Sequence, residues 1–272
     1  MDANLNVLAK DEEQLPDLRK NWVESAKDIL SGAPNHLPPL REVNHKIPII
    51  DEEKQYSYYL PRCPDALKTQ LIDKIQDYKS AGWWEETNVS QAAPMLCVFK
   101  KGGAKLCTVI DGRKRNENTR KDVTPFPDQE QIRNDVARGK YQSKINMSYT
   151  YEQIHVEPSD VWKTAFATIY GTFVSHTMQQ GDCNAPATFQ RLMTIIFREY
   201  IRRFVHIYID NIFVFSNSIK EHETHLGLVF DKLSKSQLFL EESKLHLYSK
   251  KMDCLDHIID DQGIHADSDK MA

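Results

Sequence analysis

Apolar and polar positions alternate along this chain in a way that divides it into a series of short elements. Leu15, Leu18, Trp22, Ala26 and Ile29 recur at helical spacing across residues 11–31, and Gly32 is placed to end that helix. A stretch marked by Pro34, Pro38 and Pro39 reads as an extended lead-in. Pro64 opens a second helix that puts Leu67, Leu71, Ile72, Ile75 and Tyr78 on one face. Residues 93–100 and 105–111 predict a hairpin turning at Gly102-Gly103. Residues 128–136 predict a short helix with an Asp-x-x-Gln start.

The signals sharpen from residue 140. Tyr141, Ser143, Ile145 and Met147 alternate with Gln142, Lys144 and Asn146, which predicts a strand with Asn146 near its end. Strands are expected at 161–169 and 172–176, joined at Tyr170-Gly171. Asn184 and Pro186 open a helix with Phe189, Leu192, Met193, Ile196, Phe197 and Tyr200 toward the core. Arg191, Arg198, Arg202 and Arg203 lie off that stripe and read as a solvated face. Residues 205–209 and 212–216 are β-rich pentads around Asp210-Asn211, a tight hairpin signal. Ser218-x-x-Glu221 predicts a capping box for a helix carrying Leu226, Val229, Phe230 and Leu233. A last strand pair is expected at 245–248 and 252–259. This order predicts an α+β fold, a sheet with helices on one face.

Composition narrows the function classes. With 40% hydrophobic and 27% charged residues over 272 positions, the chain can bury a core, and whole-chain disorder is excluded. The net charge of −4 argues against a self-sufficient basic nucleic-acid binder. The five cysteines are scattered, with no CxxC pair, which fits a reducing compartment rather than a disulfide framework. The acidic N-terminus lacks the apolar core of a signal peptide, and residues 204–215 are too short to span a bilayer. The expectation is an intracellular chain, in cytoplasm or nucleus, neither secreted nor in a membrane. His222 and His225 are three apart on a helix without a suitably spaced Cys, so a zinc site is not expected. Trp83-Trp84 reads as core packing rather than base stacking.

Asp and Asn are common turn residues, so Asp210-Asn211 by itself signals only a hairpin. Beside the end of another strand, here at Asn146, the same tip acquires chemical meaning. Carboxylates from two strand ends would hold a pair of Mg²⁺ ions about 4 Å apart, the arrangement used for phosphoryl transfer.

From here the sequence resembles the reverse transcriptase domain of gypsy-type LTR retrotransposons, with a fungal flavour. The resemblance runs from LPPLREVNHKI (37–47) to DCLDHIIDDQGIHADSDK (253–270). VFKKGGAKLCTVIDGRKRN from Val98 resembles the fingers strands that cover an incoming nucleotide. SKINMSYTYEQI from Ser143 resembles the first palm motif. KTAFATIYGTFVSHTMQQGDCNAPATFQRLM from Lys163 resembles the template-facing motif, and YIDNIFVFS from Tyr208 resembles the Tyr-x-Asp-Asp motif. HLGLVFDKL and CLDHIID resemble the helix and primer-grip hairpin that follow.

The resemblance implies a right-hand fold of fingers and palm, with an antiparallel palm sheet backed by helices. It implies a helical lead-in at 1–36, fingers at 37–139 with 152–180 returning to them, and palm at 140–259. Residues 260–272 would be a truncated start of a thumb that is otherwise largely absent. The implied partners are an RNA or DNA template–primer and dNTPs, with Mg²⁺ as cofactor; the oligomeric state stays open. The family's metal-binding Asp of the first palm motif falls on Asn146, and the hairpin pair falls on Asp210 and Asn211. The backbone that holds the triphosphate falls on Tyr149 and Thr150, and the aromatic that senses the sugar 2′ position on Tyr151. Lys100 takes the place of the γ-phosphate Lys, and Cys107 that of the fingers Arg. Gln180 and Gly181 match positions contacting sugar and template. Leu255, Asp256 and His257 match the primer grip, where the family usually has Gly in the middle.

The departures set the expected chemistry. Asn offers a neutral carbonyl oxygen, a weaker Mg²⁺ ligand than a carboxylate, so Asp210 is left as the metal-binding acid. A thiol at Cys107 cannot replace a planar bidentate guanidinium. The expectation is a polymerase domain impaired or inactive in this copy. The alternative is a non-catalytic remnant that binds nucleic acid or protein.

Overall fold

The computed structural model describes residues 2–30, 32, 35–56, 58–100 and 103–266, with side chains from Glu13 onward. Its helices are α1 (Asp2–Ser25), α2 (Lys27–Leu30), α3 (Lys68–Ser80), α4 (Arg113–Glu117), α5 (Gln129–Arg138), α6 (Ala185–Phe197) and α7 (Ile219–Lys235). Its strands are β1 (Trp84–Glu86), β2 (Ala93–Phe99), β3 (Leu106–Ile110), β4 (Tyr141–Asn146), β5 (Phe166–Thr168), β6 (Gly171–Ser175), β7 (Val205–Tyr208), β8 (Asn211–Ser216), β9 (Met252–Cys254), β10 (His257–Asp260) and β11 (Gly263–Ala266). Contacts divide the chain into two units, one of residues 34–124 and 149–191, the other of residues 1–33, 125–148 and 192–272. Among the described residues no helix is long and apolar enough to cross a membrane. The predicted Gly102 turn residue and the segment 267–272 lie outside the described residues.

The unit of residues 34–124 and 149–191 is built on a five-stranded sheet in the order β1-β6-β5-β2-β3. Its pairs are antiparallel except β2 with β5, which run parallel at Ala93 and Pro94. The predicted β2–β3 hairpin is present. Helix α3 begins as a 3₁₀ turn at Asp65–Leu67 just after Pro64, and it buries Leu67, Leu71 and Ile75. Ile72 instead stays on the outer side. Trp83 and Trp84 are buried; Tyr78 packs edge-on against Trp83 at 4.8 Å, and Trp84 packs on Phe166 at 4.9 Å. The predicted strand over 161–169 is shorter than its pattern. Pro158 instead starts a 3₁₀ turn over Pro158–Thr164, and the Thr164 hydroxyl closes it on the Val161 carbonyl.

The other unit carries the antiparallel sheet β4-β8-β7 and a three-stranded β9-β10-β11 meander. Helices pack on both faces of β4-β8-β7, not on one. Ser143 and Ser216 point to α7, where they hold the two ring nitrogens of buried His222 at 2.7 and 2.8 Å. On the opposite face the Gln142 amide donates to the Val136 carbonyl of α5 and to that of Gly139 just after it, and His206 meets Asp135 at 2.9 Å. Phe213 joins Ile132 and Val136 of α5 in a core that continues through Met252, Cys254 and Ile259. The run Ile212-Phe213-Val214-Phe215 is apolar on both faces, and that is the sequence mark of a strand covered on both sides. The expected strand at 245–248 reduces to one bridge between His246 and Lys144, because Tyr248 adopts φ 50° and turns the chain away. The real hairpins are β9–β10 and β10–β11.

Both predicted caps form with their own geometry. Asp128 accepts from the amides of Glu130 and Gln131. Ser218 accepts from the Glu221 amide, and the Glu221 carboxylate reaches back to the amide of Asn217.

Burial, then the nearby His225, pushes the His222 imidazole down to about 3. Burial likewise lowers His206 and His225. In the unfolded chain these rings take up protons near pH 6.5, while the folded state excludes them, so stability falls as pH drops below that point. Each such group steepens the slope by up to about 1.4 kcal/mol per pH unit. The urea midpoint should therefore fall between pH 7 and pH 5.5, above the titration of ordinary carboxylates. His222→Gln should make that fall shallower; an unchanged slope would show that His222 is not the buried neutral ring described here.

Candidate active site

Register brings the motif residues together. β4 and β8 pair antiparallel with Asn146 opposite Asn211 and Ile145 opposite Ile212. The β7–β8 turn consists of Ile209-Asp210, since Tyr208 pairs with Asn211. The hairpin predicted around Asp210-Asn211 is thus shifted by one residue, and Asn211 is a strand residue rather than a turn residue. Ile209 takes φ 52°, a left-handed conformation that is strained for a β-branched side chain. The turn is held from two directions. The Met147 amide donates to the Asp210 carbonyl at 3.3 Å, and Tyr208 receives the Gln129 amide on its hydroxyl at 2.7 Å.

At the end of this ladder three side chains close on one another. The Asn146 amide donates to Asn211 Oδ1 at 3.0 Å, and the Asn211 amide donates to Asp210 Oδ1 at 2.9 Å. All three are half-buried. The donor set is one carboxylate and two carboxamides, and reversing either amide still leaves its oxygen neutral. Such a set does not fit a pair of divalent cations, which needs several anionic oxygens. Among the described residues no group of three or more His, Cys, Asp or Glu side chains is arranged to hold a metal ion.

The positions expected to form the primer grip belong to the same unit. Leu255 and Asp256 form the β9–β10 turn with φ 51° and 65°, and Cys254 pairs with His257. That is the backbone of a two-residue turn that favours Asn-Gly. The Leu255 carbonyl accepts from Arg133 of α5 at 3.4 Å and lies 3.2 Å from His257 Nδ1, and the Leu255 side chain packs on the Phe213 core.

The positions expected to bind nucleotide fall in the unit of residues 34–124 and 149–191. Lys100 is exposed at the end of β2, its amide bonded to the Lys105 carbonyl. Cys107 is opposite Val98 on β3. Tyr149 is exposed with φ 43°, its ring 6.0 Å from Trp83, and Thr150 and Tyr151 continue the same turn half-buried. Gln180 and Gly181 are exposed and lie against β3. Gly181 has φ 107°, and a Cβ there would come 2.9 Å from the Ile110 carbonyl oxygen, so both conformation and space demand glycine.

Sequence reading missed what supports these positions. Asn116 donates to the Gly181 carbonyl at 2.8 Å and accepts from the Cys183 amide at 3.1 Å. Buried Arg115 forms an ion pair with buried Asp182, which lies 3.2 Å from His45 Nε2. Burial alone would raise the Asp182 carboxyl, but Arg115 and then His45 hold it below its ordinary value. Arg113 grips Asp111 with two bonds of 2.7 Å, and Tyr59 adds a third of 2.9 Å. Lys74 donates to Thr108 at 2.8 Å and lines a cavity of about 60 Å³ with Glu152, Gln179 and Gln180. Burial lowers Lys74 and raises Glu152. Partners this far apart in sequence leave no local signal. Of the arginine face, Arg191 is engaged with Asp122 and Thr124 rather than simply solvated.

The amide-for-carboxylate exchange has a measurable consequence. Asn146→Asp with Asn211→Asp would place three carboxylates within hydrogen-bond reach, so the double variant should melt below the wild type in metal-free buffer. Mg²⁺ or Mn²⁺ should raise the variant's Tm and leave the wild type's unmoved; an equal shift in both would contradict the donor set described here. At the primer-grip turn, Asp256→Gly should raise stability by up to about 1 kcal/mol in urea unfolding, because glycine takes positive φ without the penalty. A loss of stability would show that the Asp256 side chain outweighs its backbone cost.

Known proteins share this fold and sequence pattern. Residues 95–259 match the family described as reverse transcriptase (RNA-dependent DNA polymerase). The chain is 34% identical over 199 residues to the retrovirus-related Pol polyprotein from transposon 297 of Drosophila melanogaster, covering 72% of this chain and 19% of that protein. It is 31% identical over 222 residues to the Pol polyprotein from transposon opus of the same species, and 26% identical over 254 residues to the transposon Tf2-7 polyprotein of Schizosaccharomyces pombe. It spans about a fifth of the length of these relatives. Among solved structures, the foamy viral protease-reverse transcriptase in complex with dsDNA aligns with TM-score 0.82 at 19% identity, covering 96% of this chain and 53% of that one. The same protein in complex with RNA/DNA hybrid aligns with TM-score 0.81 at 20% identity, covering 96% and 34%. With a family match that covers most of the chain and a fold to agree, this chain belongs to the reverse transcriptase family.

Proposed function

We propose that this chain is the polymerase domain of a gypsy-type retrotransposon Pol polyprotein, and that in this copy nucleotidyl transfer is lost or nearly so. The observation that carries the reading is the closed chain Asn146–Asn211–Asp210, in which amide donors stand where metal-holding carboxylates would be required. In the family, divalent ions supply charge stabilisation as dNMP is added to a primer 3′ end. The donor set here does not fit them. Losing that stabilisation costs several kcal/mol, and each ~1.4 kcal/mol is tenfold in rate, so a reduction of at least ~10³-fold follows. Cys107 removes a second source of positive charge.

Template–primer binding is a separate property. It rests on backbone contacts and on residues such as Gln180, Gly181, Leu255 and His257, which the exchanges at Asn146, Asn211 and Cys107 leave untouched; within the 255–257 turn only Asp256 departs from the family. The proposal is therefore a domain that retains nucleic-acid affinity without turnover. Duplex-bound relatives of the same fold support the choice of nucleic acid over protein as partner.

A primer-extension assay on poly(rA)/oligo(dT) with Mg²⁺ tests it. The wild type should show no extension above background, while fluorescence anisotropy should detect salt-sensitive binding of the same duplex. Extension above background overturns the inactive reading, and absent binding overturns the retained-affinity reading. Asn146→Asp, Asn211→Asp and Cys107→Arg together should raise extension above the wild type.

A further inference from the structure

The five cysteines of this chain are not equally isolated. Arg62 and Leu96 form a parallel bridge, so the segment before α3 runs alongside the outer half of β2. Continued by one residue, that register sets Cys63 opposite Cys97. The pleat places them together: Leu96 and Arg62 face outward, and Cys97 is buried with Cys63 half-buried beside it. Partners in adjacent strands have Cα atoms about 5 Å apart, inside the range of about 4.4–6.8 Å that a disulfide bridges without backbone movement. Cys107 is close in sequence to β2's partner positions but pairs with Val98, on the opposite face of the β2–β3 ribbon from Cys97.

We propose that Cys63 and Cys97 form a reversible thiol–disulfide pair, oxidised by a small-molecule disulfide such as glutathione disulfide, whose bond clasps the segment preceding α3 to strand β2. The Cys63 thiolate attacks one sulfur of glutathione disulfide and expels one glutathione thiolate, leaving a mixed disulfide on Cys63. Cys97 then gives up its proton to solvent and attacks the Cys63 sulfur, expelling the second glutathione. The protein loses two thiol hydrogens, and one glutathione disulfide becomes two glutathione thiols. The order follows from exposure: Cys63 is reachable from solvent, and Cys97 is not. Burial, followed by the neighbouring Cys63, pushes the Cys97 thiol up to about 12, so closure is the slow step and the mixed disulfide accumulates first. The clasp acts on β2, the strand that leads to Lys100 and pairs with the Cys107 strand. Its consequence is a redox-dependent restraint on that hairpin, independent of whether the Asp210 site turns over.

The whole chain, folded, is titrated with mixtures of oxidised and reduced glutathione, alkylated, digested without reduction and analysed by mass spectrometry. A Cys63–Cys97 linked peptide pair should appear after a transient glutathione adduct on Cys63, and excess reduced glutathione should return both thiols. Cys97→Ser should stop the sequence at a stable Cys63 adduct, and Cys63→Ser should protect Cys97 from modification. The same oxidation in urea is the control and should scatter pairing over all cysteines. The oxidised wild type should melt several degrees above the reduced protein. A Cys63 adduct that never resolves onto Cys97, or a linked pair no more frequent in the folded protein than in urea, overturns the proposal. A lower Tm on oxidation would also overturn it, because it would show that the native register does not accommodate the bond.

Discussion

The β4–β8 ladder is the constraint on which the unit around Asp210 depends. It is covered on both faces, by α7 through Ser143, Ser216 and His222, and by α5 through Gln142 and Phe213. A strand whose side chains are specified on both sides cannot slip, because a one-residue shift would exchange its α5 and α7 faces. That locked register sets Asn146 opposite Asn211 and holds Asp210 at the turn. The geometry at the Asp210 turn is a consequence of a register fixed elsewhere in the core.

In the unit of residues 34–124 and 149–191 a different device does the positioning. The exposed pair Gln180-Gly181 is held from beneath by buried polar groups. Asp182 is anchored by Arg115 and His45, and Asn116 bonds the Gly181 carbonyl and the Cys183 amide. Removing one partner of such a buried pair leaves an uncompensated buried charge, which is strongly destabilising. Glycine at 181 completes the arrangement by letting that backbone touch β3. These supports lie within the same segments that carry the resemblance, but their pairing joins positions far apart in the chain.

Turns carry the strain in this chain. Ile209, Leu255 and Asp256 all adopt positive φ in two-residue hairpins, and Arg202 does so at φ 67° just before β7. None is glycine. Two-residue turns between twisted strands require such angles whatever residue is present, so the flanking ladders impose them. This explains why the sequence pattern placed the hairpin around Asp210-Asn211 and missed the shift to Ile209-Asp210: Asn is the better turn residue, but pairing of Tyr208 with Asn211 wins.

The sequence by itself determined much of this protein. Periodicity located α3, α5, α6, α7, the β2–β3 hairpin and β4, because each buries a face whose period is written in consecutive residues. Motif resemblance identified the family, and residue identity alone showed two amides and a thiol at positions where charge was expected. Tertiary structure decided the rest. Helices on both faces of β4-β8-β7, the 3₁₀ turn at Pro158–Thr164, the single bridge at His246, the Arg115–Asp182–His45 cluster and the Arg62–Leu96 bridge all join residues far apart in the chain or depend on such joins. Local pattern reports which face of a segment avoids water. Only packing chooses which partner covers it, and here that choice set the geometry of the site.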